Sequence, residues 1–181
     1  MDKFIAWLRG HKMGAKVRTR EWIMNCMQGT GILSVSATLS AKVFRVDGTV
    51  ENLGIISTHE VTDDFVELIV DKLQGLAGDL DTFKYHDTGE GSTGEDPTDS
   101  ALEIPCGDAR DAGTQIEGDT ANIYKSVATH TYAGAYTITE HGLFNAAAAG
   151  VLMDRSVFTG IGVAIGDKIE FTYQLTLTSG G

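Results

Sequence analysis

One stretch constrains the fold of this chain more than any other. Across residues 169–177, Ile169, Phe171, Tyr173, Leu175 and Leu177 take every second position, with Glu170, Thr172, Gln174 and Thr176 between them. Successive side chains of an extended chain point to opposite faces, so this alternation describes a strand with one buried and one wet face. The triplet Gly166-Asp167-Lys168 ahead of it reads as a tight turn. Residues 136–139, 151–158 and 161–165 supply further strands, separated by the small-residue turn 146–150.

The upstream chain repeats the theme. Ile32, Leu33, Val35, Ala37 and Leu39 are set among Ser34, Ser36, Thr38 and Ser40, and Asp47-Gly48 is a hairpin-type turn. A different period appears at 62–74, where Phe65, Leu68, Ile69 and Leu73 form a helical stripe. Thr62 is placed to cap that helix, Asp63 and Asp64 suit its positive end, and Val61 and Val66 have the spacing of a hydrophobic staple. Gly75 and Gly78 end it. Short strands are expected at 82–86 and 101–104. In 121–132 a weak alternation sets Ile123, Lys125, Val127 and Thr129 against Tyr124, Ser126 and Ala128. Short strands at roughly even spacing, split by glycine turns and crossed by one helix, predict a mainly β fold. The expectation is an antiparallel, jelly-roll-like β-sandwich over residues 29–181, preceded by an arm of residues 1–28.

A chain of 181 residues suffices for one domain with a real core and such an arm. No apolar run approaches the roughly 18 residues that a membrane helix needs. The opening residues have too short an apolar core for a secretory signal. Cys26 and Cys106 lie far apart in no metal spacing, so both are expected reduced and buried, in a protein made in a reducing cytoplasm.

Charge is unevenly distributed. Residues 1–20 hold six basic residues and one acid, a net +5, which leaves −16 of the overall −11 on the other 161 residues. The arm also carries Phe4, Ile5, Trp7 and Leu8, then Trp22, Ile23, Met24, Cys26 and Met27, with Gly10 and Gly14 interrupting. Exposed tryptophans are costly, so the arm must pack on its own body or on a neighbouring subunit. A basic arm on an acidic body suits an acidic protein surface or another copy of the chain better than nucleic acid, whose phosphates the body would repel.

No pattern carries catalysis. The histidines His11, His59, His86, His130 and His141 show no metal spacing on one element. His130 and His141 could approach across neighbouring strands. Glu140 beside His141 reads either as an acid–base pair or, preferably, as a hydrogen-bonding pair that fixes a strand end. Gly89, Gly91 and Gly94 match a dinucleotide fingerprint in form only, because no strand–helix unit flanks them and two glutamates would oppose an anion. Asp87, Glu90, Glu95, Asp96 and Asp99 offer oxygen ligands without the spacing of an EF-hand, so the loop 87–99 reads as solvated. No enzyme, cofactor, metal or small-molecule substrate is expected.

Three phrases carry a family resemblance. They are Thr137-Ile138-Thr139-Glu140-His141-Gly142-Leu143-Phe144, then Gly150-Val151-Leu152-Met153-Asp154-Arg155-Ser156-Val157-Phe158, then Gly166-Asp167-Lys168-Ile169-Glu170-Phe171-Thr172-Tyr173. With Phe83-Lys84-Tyr85-His86-Asp87 they resemble small structural proteins of tailed-bacteriophage virions, over roughly half the chain. The resemblance implies architecture rather than a site, with Glu140, Gly142, Phe144, Arg155, Phe158, Gly166 and Asp167 as fold positions and Arg155 able to bond Glu140 across adjacent strands. It implies a capsid decoration, or cement, protein, made in the bacterial cytoplasm and seated on the virion as a dimer or trimer, where it bridges major capsid protein subunits. The alternatives are a tail, baseplate or head–tail connector component and, in another class, a carbohydrate-binding sandwich. The contact residues would then be Lys3, Phe4, Trp7, Arg9, Lys12, Lys16, Arg18, Arg20 and Trp22 of the arm, with no nucleic acid or membrane as partner.

Overall fold

The computed structural model describes residues 33–59, 61–76 and 80–179. The whole proposed arm, Cys26, Ile32 and Gly78 lie outside them. Residues 34–178 form one compact unit. The described residues contain β1 (Leu33–Phe44), β2 (Val50–His59), helix α1 (Asp63–Leu73), β3 (Tyr85–Gly89), β4 (Asp111–Ala112), β5 (Thr114–Glu117), β6 (Ile123–Thr131), β7 (Tyr136–Phe144), β8 (Leu152–Val163) and β9 (Lys168–Ser179). They build two sheets, one of order β2-β1-β9-β6-β5 and one of order β4-β3-β7-β8. The sheets pack as an antiparallel β-sandwich, and α1 is the crossover from the first to the second.

The alternating stretch lies in β9, between β1 and β6. Ile169, Phe171 and Tyr173 are fully buried and Leu175 nearly so, while Leu177 is exposed near the strand's end. They share the core with Ala37, Leu39, Ala41 and Val43 of the adjacent β1, and face Ile138, Leu143, Met153, Phe158, Ile161 and Val163 of β7 and β8 in the other sheet. Each such large apolar side chain contributes about 1.5–3 kcal/mol on full burial, which makes this layer the main source of stability.

α1 begins as its residues require. Thr62 takes the extended N-cap conformation, and its hydroxyl accepts from the Phe65 amide at 3.3 Å. At the other end, Gly75 adopts φ +74, its N–H donates to the Lys72 carbonyl, and the Leu76 N–H donates to the Asp71 carbonyl. This is a Schellman close, in which a left-handed residue lets two carbonyls be satisfied. Phe65 is buried, and Leu68 and Ile69 pack on the core. Leu73 is 83% exposed, so it lies off the core stripe, and Val66 is 46% exposed.

Three element boundaries differ from expectation. Residues 80–82 form a 3-10 turn, and β3 starts at Tyr85. Phe83 leaves the strand pattern to fill the core, edge-on to Phe65 at 5.1 Å. Residues 101–104 form no strand, although Leu102 is buried against Phe144 and Leu152 on the outer face of the four-stranded sheet. The two strands expected at 151–158 and 161–165 are one continuous β8.

β7 and β8 carry register irregularities between Ile138 and Glu140 and between Leu143 and Phe144. A bulge changes which face a side chain takes. Ile138 thus joins the main core, whereas Glu140, two residues later, turns to the outer face and the loop that crosses it.

Candidate functional site

The outer face of the four-stranded sheet is organised by Glu140. Its side chain is wholly buried, which for a carboxylate is costly unless each lone pair finds a donor. Oε1 accepts from the amides of Gly91 at 3.1 Å and Ile104 at 2.7 Å. Oε2 accepts from the Glu103 amide at 3.0 Å and from Arg155 Nε at 2.8 Å. Three of the four donors are backbone amides of the loop running from β3 toward β4. That loop has little regular structure, so a side chain supplies the acceptor that a neighbouring strand otherwise would.

Arg155 completes the node. Its Nη1 reaches Asp99 at 3.0 Å and its Nη2 reaches Glu103 at 3.4 Å. Burial alone would lower its pKa, but the bonds to Glu140 and Asp99 outweigh that and raise it. Glu103 Oε2 also accepts from the amides of Ser92 and Thr93, both at 2.9 Å. The Thr93 bonds lead the causes that hold its carboxyl below the usual range. Gly91, Asp99 and Leu102 are thereby drawn onto the sheet, and the segment 92–98 stays exposed. The loop 87–99 is therefore only partly the solvated loop expected, since Asp87, Thr88 and Gly89 belong to β3.

The opposite, inner face of the same strands holds a polar core. His86 on β3 and His141 on β7 are both buried, with Nδ1 of the first 2.9 Å from Nε2 of the second. His86 Nε2 lies 2.8 Å from Ser126 Oγ on β6, so the chain of bonds joins the two sheets. Ser156 donates to Asp154 at 2.8 Å on the same face of β8. Burial lowers the pKa of His86 to about 3, which keeps it neutral. His141 also packs against Phe171, with ring centroids 4.8 Å apart and the planes tilted by 43°.

Neither histidine expectation holds. Glu140 and His141 lie on opposite faces of β7, so they form no acid–base pair and no strand-end pair. His130 and His141 are not on neighbouring strands, because β6 and β7 lie in different sheets. His130 instead bonds Asp111 through Nδ1 and approaches Asp108 at 3.5 Å through Nε2. Its ring lies 4.7 Å from that of Tyr132. Cys106 is half-buried rather than buried. Burial leads the causes that push its thiol up to about 11, and the acids Glu90, Asp108 and Asp87 add to it, so the group is a weak nucleophile.

Two arginines pin surface turns. Arg45 Nη1 donates to Asp167 at 3.1 Å and to the Gly162 carbonyl at 2.6 Å. Asp167 also accepts from the amides of Ala164 at 3.1 Å and Val46 at 3.0 Å. The Ala164 and Val46 bonds lead in lowering its pKa. Gly166 beside it takes φ +87, a conformation that few other residues tolerate. Arg110 bonds Asp87 at 3.0 Å and the carbonyl of Ala146 at 2.9 Å, and its guanidinium carbon sits over the Phe144 ring, 3.3 Å from the centroid.

Of the fold positions, Glu140 and Arg155 meet as expected, and Gly166 and Asp167 form the turn before β9. Gly142 lies under Phe144 and Leu102. Phe144 and Phe158 serve two different clusters, one on each side of the sheet. Lys3, Phe4, Trp7, Arg9, Lys12, Lys16, Arg18, Arg20 and Trp22 lie outside the described residues. The sequence assigned no role to Arg45, His86, Arg110 or Ser126. Their only signal was parity with apolar neighbours, such as Ser126 two residues before Ala128.

Among the described residues no group of three or more His, Cys, Asp or Glu is placed to hold a metal, and no helix is long and apolar enough to cross a membrane. Comparison with protein-family models, curated proteins and solved structures finds no match.

Proposed function

We propose that this chain is a structural protein of a tailed-bacteriophage virion, a decoration protein that bridges neighbouring major capsid protein subunits. The observation that carries this reading is where the family-like phrases fall. Glu140 and Arg155 tie a surface loop to the four-stranded sheet, and Asp167 with Arg45 ties the β1–β2 turn to the β8–β9 turn. Residues of this kind stiffen a platform. A stiff platform loses little conformational entropy on docking, so many weak contacts on a repeating surface sum to firm attachment. The basic arm would make those contacts with the acidic faces of the shell.

The test is co-sedimentation of the full chain with expanded empty capsids of a tailed bacteriophage. Saturable binding at hundreds of copies per particle is expected, weakened by salt and by Arg18→Glu with Arg20→Glu. Saturation at a dozen copies or fewer would assign the chain to a tail or connector. No binding would overturn the reading.

A further inference from the structure

We propose that the outward stripe of α1 is the docking site for the basic residues 1–28 of a second copy of this chain. Val66, Val70 and Leu73 stand at positions i, i+4 and i+7, which share one side of a helix. Their exposures are 46%, 49% and 83%, and Leu76 continues the line at 74%. Phe65, Leu68 and Ile69 already fill the core-facing side. A helix that satisfied only its own fold would be polar where this stripe is apolar. A contiguous exposed apolar patch of this kind marks an interaction surface.

Charge selects the occupant. Asp63, Glu67 and Asp71 form an exposed row at i, i+4 and i+8 beside the stripe. Two such faces meeting about a two-fold axis would bring like charges together, which is unfavourable. The complement is a segment both apolar and basic. Residues 1–20 hold six basic residues against one acid, together with Phe4, Ile5, Trp7 and Leu8. With Phe65, Leu68 and Ile69 turned to the core, the stripe is the side of α1 left for a partner, and a second copy supplies a segment of the right chemistry. The 32 residues ahead of β1 have a contour of about 110 Å at most, ample for reaching a neighbour. This inference shares the basic arm with the virion reading but concerns how copies meet in the absence of a shell.

Sedimentation velocity of the full chain over a range of concentration and salt tests it. Wild type is expected to self-associate, less so as salt rises. Glu67→Lys with Asp71→Lys, and separately Arg9→Glu with Lys12→Glu, each weaken association at least tenfold. An equimolar mixture of the two variants restores it, because the reversed arm of one now fits the reversed helix of the other. That recovery also shows both variants to be folded. A wild type that stays monomeric overturns the proposal, as do variants that associate like wild type or a mixture that fails to recover. Association lost in Leu73→Asp but kept on arm reversal would assign the stripe to another copy's helix and equally overturn it. Capsid co-sedimentation of Glu67→Lys with Asp71→Lys, whose arm is unchanged, reads the virion proposal separately.

Discussion

Arg155 and Glu140 meet on the diagonal. Gly142 stands across from Arg155 and Val157 across from Glu140, yet Nε and Oε2 are 2.8 Å apart. The pair is buried and fully hydrogen-bonded, and its loop contacts make it a folding device for residues 90–104. Neither charge could be buried without the other, and Glu140 is the acceptor for three amides of the loop.

Replacing Glu140 with Gln should destabilise the protein by about 3–5 kcal/mol, the range for breaking a buried pair from one side. Glutamine keeps one acceptor oxygen and turns an NH2 toward donors. Urea denaturation measures the loss, and amide exchange should rise first at Gly91, Glu103 and Ile104. An unchanged midpoint would show that the node is ornamental.

Acid should weaken the sandwich through His86. In the unfolded chain a histidine takes a proton near pH 6.5, whereas buried His86 does so only near 3. Between those values the unfolded state binds more protons, so stability is fully present above about pH 6.5 and falls as pH drops toward 3. The slope from this group is at most about 1.4 kcal/mol per pH unit. Urea titrations at pH 7, 5.5 and 4 should show it, and His86→Asn should remove that part of the slope. The same slope in the variant would rule out His86 as its source.

Asp167 should matter at lower pH. Its folded pKa lies below 3.8, so it contributes stability above that value and loses it as pH falls through the folded pKa. Asp167→Asn should lower the melting temperature at pH 7 and flatten the profile below about pH 4. Amides of Val46 and Ala164 should lose exchange protection together, since one carboxylate holds both. Loss at only one of them would contradict the shared role.

Gly142 has no room for a side chain. A Cβ there would come 2.8 Å from Phe144 and 2.9 Å from Leu102. Gly142→Ala should cost about 1–3 kcal/mol through overpacking. Gly94→Ala, with nothing within 4 Å of its Cβ, should stay within about 0.5 kcal/mol of wild type. Equal effects in calorimetry would refute the packing argument.

Much of the fold was legible because period is local. The two-residue repeat of β9, the cap Thr62 and the turn at Gly166 depend on neighbours within a few positions. Phe83 was misplaced because the cavity it fills is shaped by Phe65, 18 residues away. Glu140 and His141 were read as a pair because they adjoin in sequence, yet the strand pleat sends them to opposite faces. His86 and His141, 55 residues apart, share a bond that no spacing announces.

The amino-acid sequence by itself determined the sandwich, its crossover helix and the split between a basic arm and an acidic body. These follow from alternation, capping and composition, each of which acts over short stretches. Tertiary structure alone decided what the polar residues do. A buried carboxylate or imidazole is stable only with partners, and strand order and bulges choose those partners. Glu140 therefore became the anchor of a loop, and His86 with His141 a neutral bridge inside the core.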